Sequence, residues 1–133
     1  MVLVDANVLL DVLTDDPKWG AWSEGKLREL VETEDLAINP IIYAELSPAY
    51  RTASELERAL GGWELQRLPL PYEAGFLAGQ AFVRYRRGGG ARRSPLPDFY
   101  IGAHAQVAGL KLLTRDDARC RTYFPKLRII APE

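Results

Sequence analysis

The N-terminal stretch Met1–Leu13 reads MVLVDANVLLDVL. Its first apolar run, residues 2–4, ends on the acid Asp5, and a second apolar run begins after Asn7. A short run that is apolar throughout is typical of a strand buried inside a parallel sheet. We therefore predict a central strand over residues 2–5 and a helix from about residue 7, with Asp5 at the carboxyl end of the strand.

The rest of the sequence repeats this alternation of short apolar runs and amphipathic segments. We predict further strands at residues 36–38, 64–68, 111–114 and 128–130. We predict further helices at residues 17–35, 40–50, 52–63, 71–87 and 98–109, several of them bounded by Pro or Gly. Such alternation predicts an α/β fold with a central, mainly parallel sheet covered by helices on both faces.

Length and composition indicate a single globular domain over residues 1–133. The chain is 47% hydrophobic and 26% charged, and no apolar run approaches the ~18 residues that cross a membrane. Asp5 interrupts the N-terminal apolar run, so we expect no secretory signal and no membrane association. The one cysteine, Cys120, excludes an internal disulfide and is consistent with a cytoplasmic protein.

Acidic residues follow two of the predicted strands and open or interrupt two of the predicted helices. Asp5 and Asp116 come at or just after strand ends, and the carboxyl ends of parallel strands meet at one edge of a sheet. Glu45 shares a helical stripe with Ile41 and Ile42, where a lone carboxylate is costly unless it is paired or bound to a metal. Asp98 follows Pro97 at a predicted helix start and is expected to lie near the same edge.

Four converging carboxylates would repel one another, and a divalent cation would relieve the repulsion. Oxygen ligands favour Mg²⁺ or Mn²⁺ over zinc. Zinc sites usually use His and Cys ligands, and this chain has only one of each. Simpler roles compete with this hypothesis: Asp98 and Asp116 as N-caps, Glu45 as a side chain that reaches solvent, and Asn7 either as a cap or as a hydrogen-bond partner of Asp5 or Asp116. We interpret Asp11 as a solvated residue and His104 as a packed or surface histidine.

Residues 84–93, RYRRGGGARR, hold five arginines and no acid. The net charge of the chain is −1, so the remaining residues carry −6. Arginine makes bidentate contacts with phosphate, and Gly88–Gly90 would let the segment fold over a bound strand. A solvated surface loop is the simpler interpretation. The segment leads within five residues to Asp98, which favours a role in RNA binding for Arg86, Arg87, Arg92 and Arg93.

The ordered set of these segments resembles the PIN domain and, within it, the VapC-type toxin ribonucleases of toxin–antitoxin pairs. The segments that carry the resemblance are VLVDANVLLDVL (2–13), INPIIYAEL (38–46), LPDFYIGAHAQVAGLKLLTRD (96–116) and YFPKLRIIAP (123–132). By position, Asp5, Glu45, Asp98 and Asp116 match the acidic catalytic residues of the family, with Asp5, Asp98 and Asp116 as metal ligands. Asn7 and Thr114 match its supporting polar positions, whereas Ala6 replaces a common Thr or Ser.

The resemblance implies a three-layer α/β sandwich, RNA cleavage that depends on Mg²⁺ or Mn²⁺, a homodimer, and an antitoxin partner that blocks the site. Trp19, Trp22, Tyr43 and Tyr50 either complete the core or form an exposed groove for an antitoxin helix. Two other classes of protein remain open. One is a haloacid-dehalogenase-like phosphatase, which would need an Asp at the position of Asn7, and the other is a non-catalytic RNA- or protein-binding module. A DNA nuclease or an rRNA-processing enzyme also remains open.

Overall fold

Five short parallel strands form a single sheet in the computed structural model, which describes residues 1–133. The strands are β1 (Val2–Val4), β2 (Leu36–Ile38), β3 (Leu65–Arg67), β4 (Lys111–Leu113) and β5 (Ile129–Ile130). They lie in the order β3-β2-β1-β4-β5 with every pairing parallel. All three residues of β1 are fully buried, because the strand has neighbours on both sides and helices over the sheet.

Seven α-helices connect and cover the strands. They are α1 (Ala6–Leu13), α2 (Gly20–Leu30), α3 (Pro40–Leu46), α4 (Ala53–Leu60), α5 (Tyr72–Arg87), α6 (Pro97–Ala108) and α7 (Ala118–Tyr123). One hydrophobic cluster of 26 buried residues runs through the strands and helices. The predicted α/β sandwich with helices flanking a central parallel sheet is confirmed. No helix is long and apolar enough to cross a membrane.

Local sequence signals account for most of the helix boundaries. The Asn39 side chain accepts a hydrogen bond from the backbone N–H of Ile42 at 2.9 Å and so caps α3, whose first residue is Pro40. Pro48 ends this helix, and a 3₁₀ turn over Ser47–Ala49 replaces its predicted last turn. Gly109 ends α6 in the left-handed region, with φ of 68°.

Two further elements differ from the prediction. Helix α2 begins at Gly20 rather than residue 17, because the Asp16 carboxylate accepts the backbone N–H groups of Lys18 and Trp19 and holds those residues in a turn. Helix α7 was not predicted, since its six residues are too few for a helical period to show in the sequence.

Candidate functional site

The register of the two central strands brings Asp5 and Thr114 together. Val4 on β1 pairs with Leu113 on β4, and the backbone N–H of Asp5 donates to the carbonyl of Leu113 at 2.9 Å. The first residue after each strand therefore lies at the same carboxyl edge of the sheet, as predicted from the order of strands and acids.

Asp5 is held by hydrogen bonds at both carboxylate oxygens and is only 7% exposed. Its Oδ1 accepts from the backbone N–H of Ala6 at 2.7 Å, and its Oδ2 accepts from the hydroxyl of Thr114 at 2.8 Å. The Thr114 oxygen in turn accepts from the backbone N–H of Asp116 at 3.2 Å. Thr114 therefore links the end of β1 to the segment that carries Asp116.

The Asn7 side chain bridges the same two strand ends and does not cap α1, whose N-cap residue is Asp5. Its amide group lies 3.2 Å from the Thr114 hydroxyl oxygen and 3.5 Å from Asp5 Oδ2, to both of which it donates. Its oxygen accepts from the backbone N–H of Arg115 at 3.1 Å. Of the two roles considered for Asn7, the structure shows the hydrogen-bonding one.

Asp11 anchors the side chain of Arg115, and the interpretation of Asp11 as a solvated residue was wrong. Asp11 is 3% exposed and accepts from Arg115 Nε at 2.7 Å, from Arg115 Nη2 at 3.0 Å and from the Ser23 hydroxyl at 2.7 Å. The signal was present in the sequence, because Asp11 follows the buried Val8 by three residues and so shares its helical face. A carboxylate there needs a cation, which the arginine beside Asp116 supplies.

The pKa values of Glu45 and Asp5 are both raised, chiefly by burial. Burial, followed by the charges of Asp5 and Asp98, raises the pKa of Glu45 to about 7. Burial is also the main reason that the pKa of Asp5 rises to about 6, with the hydrogen bond from Thr114 opposing it and the charges of Asp98 and Asp116 adding to it. The Glu45 Oε1 atom is buried without a hydrogen-bond partner. Glu45 therefore lies within electrostatic range of Asp5 and Asp98.

Asp98 and Asp116 complete the group of four acids, and neither is an N-cap. Leu96 is the N-cap residue of α6 and Asp117 that of α7. Asp98 accepts from Arg119 Nη1 at 3.0 Å, and burial raises its pKa although Arg119 opposes the rise. Asp116 is exposed. The acids thus range from a buried residue at the strand end to an exposed one at the rim.

The donor chemistry of this acidic cluster, defined as Asp5, Glu45, Asp98 and Asp116, fits a hard divalent cation. All its donors are carboxylate oxygens, which favour Mg²⁺ or Mn²⁺, and a cation would relieve both the raised pKa values and the unpartnered oxygen of Glu45. In the present side-chain conformations, however, no three Asp, Glu, His or Cys residues are placed to hold one metal ion. Asp98 is instead turned to Arg119.

The arginine-rich segment, residues 84–93, begins on the last turn of α5 and continues beyond it. Its Tyr85 ring lies 5.6 Å from the ring of Phe99, the residue after Asp98, and so connects the segment to the start of α6. Arg86 donates to the carbonyl of Arg92 at 2.7 Å and folds the segment back on itself. Arg87, Arg92 and Arg93 are exposed.

The four aromatic side chains considered for an antitoxin groove are half-buried rather than exposed. Trp22, Tyr43 and Tyr50 pack against the core, and Trp19 contacts Trp22 edge-on with ring centroids 6.4 Å apart. Tyr43 also lines an apolar cavity of about 500 Å³ between the start of α3 and the segment after β3. None of the four acids lines this cavity. The most exposed aromatic residues are Tyr72 and Phe76 on α5.

His104 is a buried partner of the helix cap at Asn39, as its interpretation as a packed histidine anticipated. The Asn39 oxygen already accepts from Ile42, so its amide donates to His104 Nδ1 at 2.9 Å. The imidazole then carries its hydrogen on Nε2, and burial lowers its pKa. Because Asn39 starts α3, this pair sets the position of the helix that carries Glu45.

The protein is an α/β sandwich with an acidic cluster at the carboxyl edge of a parallel sheet. Comparison with known protein families identifies the class to which it belongs. The model of the PIN domain family matches residues 2–125. The chain belongs to the PIN domain family. No curated protein matches it.

Several solved structures share the fold. One is the structure of VapBC2 from Rickettsia felis bound to a DNA fragment from the promoter. A chain of that structure superposes with a TM-score of 0.76 at 17% identity, with 100% of both chains covered. VapBC-1 from nontypeable Haemophilus influenzae gives 0.71 at 18% identity, with 98% of both chains covered. DNA-bound VapBC from Salmonella typhimurium gives 0.68 at 24% identity, with 98% of this chain and 96% of that chain covered.

Proposed function

We propose that this protein is a metal-dependent endoribonuclease that acts as the toxin of a type II toxin–antitoxin pair. The observation that carries the proposal is the acidic cluster at the carboxyl edge of the sheet in a PIN domain. Burial, with smaller contributions from neighbouring carboxylates of the cluster, raises the pKa of Asp5 to about 6 and that of Glu45 to about 7. Residues with perturbed pKa values that converge from separate elements are typical of catalytic sites.

In this proposal Asp5, Asp98 and Asp116 hold the metal, and Asn7 and Thr114 orient Asp5 and the segment of Asp116 through the hydrogen bonds described above. When bound, Mg²⁺ or Mn²⁺ supplies positive charge for the phosphate and lowers the pKa of a water. Glu45, whose buried Oε1 has no hydrogen-bond partner, accepts the proton of the attacking water. Hydrolysis would leave a 5′ phosphate and a 3′ hydroxyl, and Arg86, Arg87, Arg92 and Arg93 would bind the RNA backbone.

The alternatives are less consistent with the contacts. A haloacid-dehalogenase-like phosphatase needs an acid two residues after Asp5, whereas the amide of Asn7 uses both its donor and its acceptor atoms to join β1 to β4. A non-catalytic module would gain nothing from a buried Glu45 oxygen that has no hydrogen-bond partner. The single buried thiol of Cys120 is consistent with the cytoplasmic location of such a toxin.

Cleavage assays with a matched control test the proposed activity. Purified protein is incubated with a panel of RNAs in Mg²⁺, Mn²⁺ or EDTA, beside Asp5→Asn and the exposed-acid control Asp35→Asn. We expect cleavage by the wild type and the control with either metal, none with EDTA and none by folded Asp5→Asn. Full activity of folded Asp5→Asn, or activity in EDTA, would contradict the proposed site.

We propose an antitoxin partner because similar chains occur in solved VapBC structures. Co-expression with the adjacent open reading frame should yield a stable complex that does not cleave RNA. Growth arrest on expression of the chain alone, relieved by co-expression, is the expected phenotype. A chain that is harmless when expressed alone would count against a toxin.

We propose that the protein forms a homodimer through the exposed face of α5. Tyr72 is fully exposed, Phe76 is 72% exposed and Val83 is 40% exposed, and all three lie on one side of the helix. Gly79 lies between them, and no atom comes within 4 Å of the point where a Cβ would stand, so a second helix has room to approach. Exposed apolar side chains in a row are typical of an interface.

The charges of α5 favour an antiparallel second copy of this helix. Glu73 lies in its first turn, and three arginines lie in its last turn. A two-fold axis near Gly79 would bring the acidic end of each helix to the basic end of its partner. We expect Phe76→Glu to convert a dimer to a monomer by light scattering, whereas Val107→Glu, at an exposed valine on α6, should leave it a dimer.

A further inference from the structure

Arg119 is the only arginine whose side chain pairs with a member of the acidic cluster. Its Nη1 donates to Asp98 Oδ2 at 3.0 Å. Its guanidinium carbon lies 5.9 Å from the ring centroids of both Tyr85 and Phe99. The side chain is 39% exposed and that of Asp98 is 28% exposed, so the pair lies at the mouth of the cluster.

The contact between Arg119 and Asp98 is weaker than the other arginine–aspartate pair near the cluster. Arg115 holds the buried Asp11 with two nitrogens, which is the geometry of a structural anchor. Arg119 uses one nitrogen on one oxygen, so most of its N–H groups have no acceptor. A partly exposed single contact of this kind contributes little to stability and is exchanged at low cost.

The positive charge of Arg119 lies beside Asp98, one of the three acids proposed to hold the metal. A guanidinium beside Asp98 lowers the affinity of the cluster for a second positive charge by direct repulsion. Arg119 also binds an Asp98 carboxylate oxygen that would otherwise be free to turn toward Asp5, Glu45 and Asp116. None of these three acids pairs with a cationic side chain.

We propose that Arg119 is an exchangeable counter-ion of the acidic cluster: it neutralises Asp98 in the absence of a divalent cation, releases Asp98 when the cation binds, and then binds a phosphate group of the RNA. The proposal rests on the proposed function and extends it to a residue that acts on Asp98 and on the substrate. The free N–H groups suit a phosphate. Tyr85 places the guanidinium beside the arginine-rich segment, so one RNA strand would meet both.

Metal binding to matched variants tests the first half of the proposal. Arg119→Gln keeps much of the aliphatic stem and removes the charge. Arg121→Gln removes an arginine of the same helix whose partner, Asp117, is not a member of the cluster. We expect Mn²⁺ to bind Arg119→Gln about 3- to 10-fold more tightly than the wild type in calorimetry at low salt. Arg121→Gln should match the wild type.

The outcomes separate the two proposals. Equal or weaker Mn²⁺ binding by Arg119→Gln would overturn the role of Arg119 and leave the metal site standing. Absence of Mn²⁺ binding by every protein would overturn both. RNA binding tests the second half: in a Glu45→Gln background, adding Arg119→Gln should weaken RNA affinity about 3- to 10-fold with Mn²⁺ and leave it unchanged with EDTA.

A measurement on the wild-type protein does not depend on how any variant folds. Titration with diamagnetic Mg²⁺ should shift the NMR signals of the Arg119 guanidinium group, because its Nη1 leaves Asp98. The Arg115 Nε–H group stays on Asp11 and should keep its signal. An Arg119 signal that is unchanged at saturating Mg²⁺ would overturn the exchange.

Discussion

The Thr114 hydroxyl donates to Asp5 Oδ2 at 2.8 Å across the two central strands. Its oxygen also accepts from the backbone N–H of Asp116 at 3.2 Å, and Thr114 is fully buried. One hydroxyl therefore fixes the deepest acid of the cluster relative to the most exposed one. It also counteracts the rise that burial causes in the pKa of Asp5.

We expect Thr114→Val to weaken the site while keeping the fold. Valine has the same shape, but Asp5 loses a hydrogen bond to its charged form, so its pKa rises further. Loss of an orienting partner of a metal ligand typically reduces metal affinity or activity by about 10- to 100-fold. Mn²⁺ calorimetry and cleavage rates measure the effect, with Thr33→Val at an exposed threonine as the control. Wild-type affinity and rate in Thr114→Val would show that the hydroxyl orients nothing.

Glu45 should make the metal-free protein less stable at alkaline pH. Its folded pKa of about 7 lies above the ordinary 4.5, so the folded state binds a proton more tightly than the unfolded state. The stabilising effect of that proton is complete below about pH 4.5 and is lost as the pH rises through 7. Asp5 acts in the same direction with a folded pKa of about 6. His104, whose pKa is lowered, opposes them only below its ordinary value of 6.5.

We therefore predict that Glu45→Gln stabilises the protein in EDTA at pH 8 and flattens its pH dependence. Removing one charge from the cluster should contribute on the order of 1 kcal/mol, or about 3–5 °C in Tm. Thermal unfolding at pH 8.0 and 6.5 measures both effects, with Glu32→Gln, an exposed acid, as the control. A Tm difference between the two pH values that is the same in Glu45→Gln and the wild type would contradict the assignment.

The sequence was sufficient for the fold wherever a single residue or a short period decides an element. The apolar run Val2–Val4 indicated a buried strand, and Asn39-Pro40 indicated the start of α3. Parallel pairing then placed Asp5 and Asp116 at one edge without knowledge of any contact. What the sequence lacked was the partner of each polar side chain. Asp11 and Arg115 are 104 residues apart, and nothing local shows that they meet.

Asn39→Ala should cost more stability than the loss of an ordinary helix cap. Alanine removes the cap of α3, at about 1 kcal/mol, and also leaves the buried His104 Nδ1 without its donor, at a further ~1–3 kcal/mol. Thr52→Ala is the matched control, because Thr52 caps α4 from an exposed position and its side chain has no second partner. Urea unfolding measures both. Equal losses in the two variants would show that the His104 contact contributes nothing.

The arginine-rich segment should bind the RNA backbone without taking part in the chemistry. Arg87, Arg92 and Arg93 are exposed, and Arg86 holds the segment closed through the carbonyl of Arg92. If each of the four side chains neutralises one phosphate of a single strand, their joint replacement by Ala should lower the log–log salt slope of RNA binding by up to ~2.8, at about 0.7 per contact. Cleavage at saturating RNA and low salt should persist, because the acidic cluster is unchanged.

The control replaces four exposed arginines elsewhere, namely Arg28, Arg51, Arg58 and Arg128. An equally large fall in slope in the control would show that the segment contributes only general electrostatic attraction. An unchanged slope in the variant itself would show that the segment is a solvated surface loop.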